Sequence, residues 1–240
     1  MSLESQIAAL VQASNNLTDA VSGKIGEIDN HLNQSTQEIN RQLEQTKYML
    51  PRIVITKNQS LAVPSGQSLP TGLSIHTEVA CSVYQAIPSE PARRTAAHIA
   101  LLQEIERDTS ANLRVNEYYR KDFNIVKLSW AAVANPASGW LAFPNSVDSD
   151  TIPSVPLNTF LTVGALVKVL SGSITGAWGT GARLGKWTFC NEKLSPSGFG
   201  TYTHLHPMRN SQSGEILVAF PAAITGHIEK LENWFPNVNF

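Results

Sequence analysis

The sequence predicts a mixed chain: an N-terminal α-helical coiled coil followed by a β-rich (α+β) domain with one clear helix. Three observations predict it. The first fifty residues carry apolar side chains at steps of three and four. Past Pro51 the pattern becomes short alternating runs divided by Gly, Ser and Pro. Only residues 89–110 return to a helical period. The boundaries follow as 1–50 for the stalk and 51–240 for the β-rich domain, with 130–160 the place for any sub-boundary.

The stalk comes first. Leu3, Ile7, Leu10, Leu17, Val21, Ile25, Ile28, Leu32, Ile39 and Leu43 form a narrow stripe, interrupted by Ser14 and Ser35. A helix lying on a globular core shows a wider apolar face; two sites per heptad make a seam that is buried between helices. Two steps of four follow each other at Leu17–Val21–Ile25 and at Ser35–Ile39–Leu43. Each is a stutter that locally unwinds a supercoil. At about 1.5 Å per residue, fifty residues extend about 70 Å. Gly23 and Gly26 each weaken the helix by about 1 kcal/mol relative to alanine. Such a helix does not stand alone in water, so the seam implies partner chains. Its mixture of Ile and Leu does not fix their number.

The run LESQIAALVQASNNLTDAVSGKIGEID, residues 3–29, resembles the N-terminal segment of tail-fibre and related tail proteins of phages that infect Gram-negative bacteria. In those proteins an LVQASNNLT phrase leads into a KIGEID-like helical repeat. The resemblance covers the first fifty residues and does not extend over 51–240. It implies a virion component made in the host cytoplasm: a homotrimeric tail or baseplate fibre involved in host attachment. The partners it implies are copies of the chain itself, baseplate or tail proteins, and a host surface receptor or polysaccharide. The alternatives are a purely structural tail, collar or baseplate fibre, and, more remotely, a polysaccharide depolymerase.

Composition narrows the classes. Charged residues make up 15% of the chain, against about 25% in an average soluble protein. The net charge of −1 supplies no basic field for nucleic acid. No secretory leader is expected, since no long apolar region precedes the first basic residue, Lys24. The longest later apolar run, residues 160–170, contains Lys168 and falls short of the roughly 20 residues that cross a bilayer. Membrane insertion is not expected. Cys81 and Cys190 stand far apart without a CxxC pair and are expected as free thiols.

The remaining elements follow in chain order. Pro51 stops the helix, and residues 53–55 (IVI) read as a short strand. Residues 56–72 are loop, and 73–87 hold one or two strands. In SEPARRTAAHIALLQEIERDTS, Ser89 is the expected cap and Pro91 suits the first turn, with Ile99, Leu102 and Ile105 on the apolar face. His98 shares that face and is expected as a core or edge residue. From YYRKDFNIVKLSWAAV (118–133) onward the pattern returns to strands, then a proline-rich ordered loop runs over 135–160. LTVGALVKVL, GARLGKWTF, TYTHLHP, GEILVAF and AAITGHIEKL are expected as separate strands. There is no internal repeat, which argues against a long repetitive shaft.

No motif announces an enzyme. GTGARLG at 179–185 has the wrong glycine spacing for a dinucleotide loop and precedes a strand, so its glycines are turn residues. DSD at 148–150 lacks the further oxygens of a calcium site. No cofactor is expected, with one exception to test. His204 and His206 are two apart and face one side of a strand, and three chains around an axis would offer six imidazoles to a transition metal. Trp140, in the proline-rich loop, is the candidate receptor or glycan contact among five tryptophans, with Tyr118 and Tyr202 as further stacking faces.

Overall fold

The structure is a computed structural model, and it describes residues 2–132 and 139–236. The start of the proline-rich loop, 135–138, lies outside the described residues. Two compact units divide the chain, residues 1–47 and 48–240.

The first unit is helix. α1 runs Leu3–Met49, 47 residues without a buried side chain. Its polar flank is tied by ion pairs three residues apart, Lys24–Glu27 at 2.5 Å and Arg41–Glu38 at 2.6 Å, and by Lys47–Glu44. Hydrogen bonds from Arg41 and Gln42 pull the Glu38 carboxyl down to about 2. Such solvent-exposed pairs are screened by water and contribute little to stability. They do not explain why a helix this long should hold.

The second unit is built on an antiparallel five-stranded sheet. β1 (Leu73–Ile75), β4 (Ala142–Pro144), β5 (Ser154–Pro156), β7 (Ile174–Thr175), β9 (Tyr202–His204) and β10 (Met208–Arg209) form small two-stranded ladders. The main sheet contains β2 (Val79–Ile87), β3 (Phe123–Trp130), β6 (Leu161–Ser171), β8 (Trp187–Leu194) and β11 (Gly214–Thr225), in the order β2-β3-β11-β6-β8. Both faces are covered. Val163, Ala165, Val167, Ile216 and Val218 enter one core with Leu141, Phe143, Val155, Trp178 and Leu205. Leu166, Leu217, Ala219 and Ile224 enter the other, with Leu102, Ile105, Trp187 and Trp234. A strand buried on both faces loses the polar alternation, which is why LTVGALVKVL reads as a continuous apolar run.

β11 corrects one expectation. GEILVAF and AAITGHIEKL do not form two strands; one strand crosses Pro221 and ends at Thr225. The register against β6 slips between Ala219 and Ala222. Leu217 and Ala219 face the helix-side core before the slip, and Ala222 and Ile224 face it afterwards. That parity change is what an extra residue in a strand must cause. A proline is tolerated there because a bulge releases its position from the ladder. Gly164, on β6 beside this point, has no room for a side chain: a Cβ would meet the Cys190 carbonyl oxygen at 2.9 Å and Trp234 at 3.2 Å.

The second helix starts later than its cap signal suggested. Pro91–Arg93 is a 3-10 turn, and α2 runs Ala96–Thr109 with Thr95 as its cap. The His98 amide donates to Thr95 Oγ1 at 3.4 Å, and the Thr95 amide donates to His98 Nδ1 at 3.1 Å. This is a capping box with imidazole in place of Glu. Ser89 is engaged elsewhere: its amide and hydroxyl both donate to Asp122. Buried Arg94 donates to the carbonyls of Pro88, Val115 and Ser89 and stacks on Tyr119 at 3.9 Å.

Smaller corrections concern strand ends. Val54 and Thr56 make only isolated bridges, to Ile224 and Ser146. Before Trp187, where β8 begins, the GARLGKWTF run makes only turns and isolated bridges, Leu184 to Val169 and Arg183 to Lys186. Cys81 and Cys190 are free thiols, pushed by burial up to about 11 and about 12.

Candidate functional site

Two surfaces are unlike the rest of the molecule. The first is the α1 seam. All ten stripe residues are exposed, from 46% at Leu43 to 72% at Leu3. Val11, which the stepping passes over, is 54% exposed and widens the stripe beside Leu10. Burying a Leu, Ile or Val side chain stabilises by about 1.5–3 kcal/mol. Within one chain that free energy is not realised. No helix of the structure is long and apolar enough to cross a membrane, among the described residues.

The second surface is a chain of rings. Of the five tryptophans, Trp130, Trp178, Trp187 and Trp234 are buried in the two cores, and Trp140 alone is half-exposed. Its ring lies 5.0 Å from His76, 5.1 Å from Phe143 and 6.3 Å from His206. His206 is 5.1 Å from His204, which is 5.4 Å from Tyr202. Five rings (His76, Trp140, His206, His204 and Tyr202) thus run in contact, with Tyr202 and His204 exposed and the other three half-buried. The β5–β9 ladder sets Tyr202 and His204 on one side of a strand, since both lie two residues apart. Trp140 is brought to them by its bridge to Met208.

A buried guanidinium supports this surface from behind. Arg209 is 2% exposed in its side chain, and its Nη1 lies 2.8 Å from Glu78 Oε2. A Cβ on Gly139 would fall 1.7 Å from Arg209 Nη2. Only glycine at 139 lets the guanidinium lie against the backbone just before Trp140. Glu78 in turn donates its amide to His76 Nδ1 at 3.1 Å, which links the two ends of the support.

The structure therefore brings together Trp140, His204, His206 and Tyr202, which the sequence offered as separate candidates. It adds His76 and Phe143. No local signal marks those two, because three segments far apart in the chain, around His76, Trp140 and Tyr202, meet here. Tyr118 is exposed but belongs to another part of the unit, the rim described below. His206 carries a lowered pKa, through burial and then through the neighbouring His204. For a metal, one chain supplies two imidazoles; no group of three or more His, Cys, Asp or Glu among the described residues has ligand geometry. Asp150 accepts from Lys57 at 2.9 Å and Asp148 from Ser146, so the DSD carboxylates are engaged within the protein.

Compared with protein-family models and with curated proteins, the chain matches none.

Proposed function

We propose that this chain is a structural component of a phage tail: a homotrimeric fibre that oligomerises through a coiled coil of α1 and contributes to host attachment through the β-rich unit. One observation carries the reading. A 47-residue helix exposes its whole apolar seam, and an isolated helix of that composition is unstable without partners. The resemblance of residues 3–29 to phage tail-fibre N-termini supports the virion context and the number three.

The ring strip supports the attachment half. Partly exposed aromatic and imidazole faces in a row offer stacking area to a host surface polysaccharide at low conformational cost. The chain is read as having no catalytic role.

Sedimentation equilibrium of the full chain tests the first half: the expected mass is three chains, and a monomer at micromolar concentration overturns the coiled coil. Antibody labelling of intact virions tests the second: the β-rich unit is expected on the tail exterior, and a chain absent from particles overturns the virion assignment.

A further inference from the structure

We infer that the β-rich unit holds a binding pocket for a medium-chain acyl carboxylate, at a place separate from both the stalk and the ring strip. A cavity of about 260 Å³ opens between α2, the 112–123 segment and the end of the chain's described part. Its inner wall is apolar: Leu102 and Ile105 from α2, Leu113, and three packed rings. Phe220 stacks on Phe235 at 4.3 Å, and Phe123 lies 4.5 Å from Phe220. The cavity is about 110 Å³ larger than the ~150 Å³ apolar cavity that takes one benzene ring, so a chain of about ten carbons fits its scale.

The backbone spends strain to build this wall. Phe220 has φ of +57°, a left-handed conformation that a bulky side chain rarely adopts. It sits at the β11 bulge, where register slips. Its carbonyl accepts from buried Trp234 Nε1 at 2.8 Å, which holds the strained turn in place. Bulges and strained residues of this kind recur where a side chain is re-aimed at a binding site.

The rim sets the ligand's charge. Arg114, Arg120 and Glu232 line the mouth with exposed Tyr118. Arg114 is paired with Glu117, and Glu232 accepts the Asn112 amide at 3.1 Å. Arg120 is exposed and has no ion-pair partner among the described residues. One unspent guanidinium above an apolar cavity fits a carboxylate head on an apolar tail. A neutral chain would leave it unused.

Titration calorimetry of the full chain with decanoate, decanol and butyrate tests this. Decanoate is expected to bind one to one, with butyrate at least tenfold weaker because it leaves the cavity unfilled. Arg120→Ala is expected to weaken decanoate about tenfold, the loss of one charge-assisted contact, and to leave decanol unchanged. Leu113→Trp, which fills the cavity, is expected to abolish binding of both long chains. Absence of saturable decanoate binding up to millimolar concentration overturns the proposal. So does decanoate binding that neither variant alters, which would put the ligand elsewhere, or equal affinity for decanoate and decanol in the parent chain.

Discussion

The helix of residues 3–49 and the sheet of residues 79–225 solve the same problem in opposite ways. In the sheet, β6 and β11 bury both faces, and residues as far apart as Leu102 and Trp234 share one core. In the helix, no side chain is buried, and Leu3 to Leu43 leave their stripe in water. The comparison teaches that the sheet completes its cores within one chain, whereas the helix by itself buries none of its stripe. A two-layered core closes within one copy; a two-residue seam closes only against another helix.

Breaking the seam gives the largest expected effect. Ile25→Asp with Ile28→Asp places two carboxylates per chain in the interface and should leave monomers at micromolar concentration by sedimentation. The heat unfolding of the β-rich unit should not move. If the unit's transition falls with the oligomer, the two regions are coupled and the contrast drawn above fails.

Next in size is the sheet's own core. Trp187 is 1% exposed, its indole N–H donates to Glu104 at 3.3 Å, and its amide donates to Asp108 at 3.0 Å. Trp187→Ala should destabilise the unit by about 3–5 kcal/mol, measured by urea denaturation, with the oligomer mass unchanged. A smaller loss, about 1 kcal/mol, is expected for Thr95→Ala, because His98 then loses its partner in the cap. Equal stability would mean that α2 is held by packing alone.

Acid sharpens the comparison at its smallest scale. Glu38 in the helix is held near 2 instead of 4.5 by hydrogen bonds from Arg41 and Gln42. Asp122 in the β-rich unit is lowered by hydrogen bonds from Ser89, hydroxyl and amide. A depressed carboxyl favours the folded state above its ordinary value and loses that contribution as pH falls through the folded one. Helicity should therefore fall slightly between pH 4.5 and 2, with salt reducing the effect because Glu38 is exposed. Glu38→Gln should remove that slope in circular dichroism; an unchanged slope would assign it to other carboxyls.

Much of this was legible in the residues themselves. The helix and its seam follow from steps of three and four, because its hydrogen bonds connect residues four apart and need no distant partner. β3 and β6 were legible for a related reason: Val126, Leu128 and Val163–Val169 carry enough apolar weight to require a core. The start of α2 was not, since Ser89 is the better cap by residue type and yet the helix begins at Thr95, whose cap His98 completes. Nor was β11, where Pro221 normally ends a strand and here occupies a bulge.

The candidate surfaces divide along the same line. Leu3 to Leu43 could be named from sequence, residue by residue, because a seam is a local pattern. The ring strip and the apolar pocket could not: His76, Trp140 and His204 meet only after β1, β4, β5 and β9 have paired, and Phe220 turns inward only because β11 slips against β6. Local hydrogen bonding makes a helix a property of its own residues. Strand pairing joins residues that chain order keeps apart, so the sheet order, the bulge, the ring strip and the apolar pocket belonged to the tertiary structure alone.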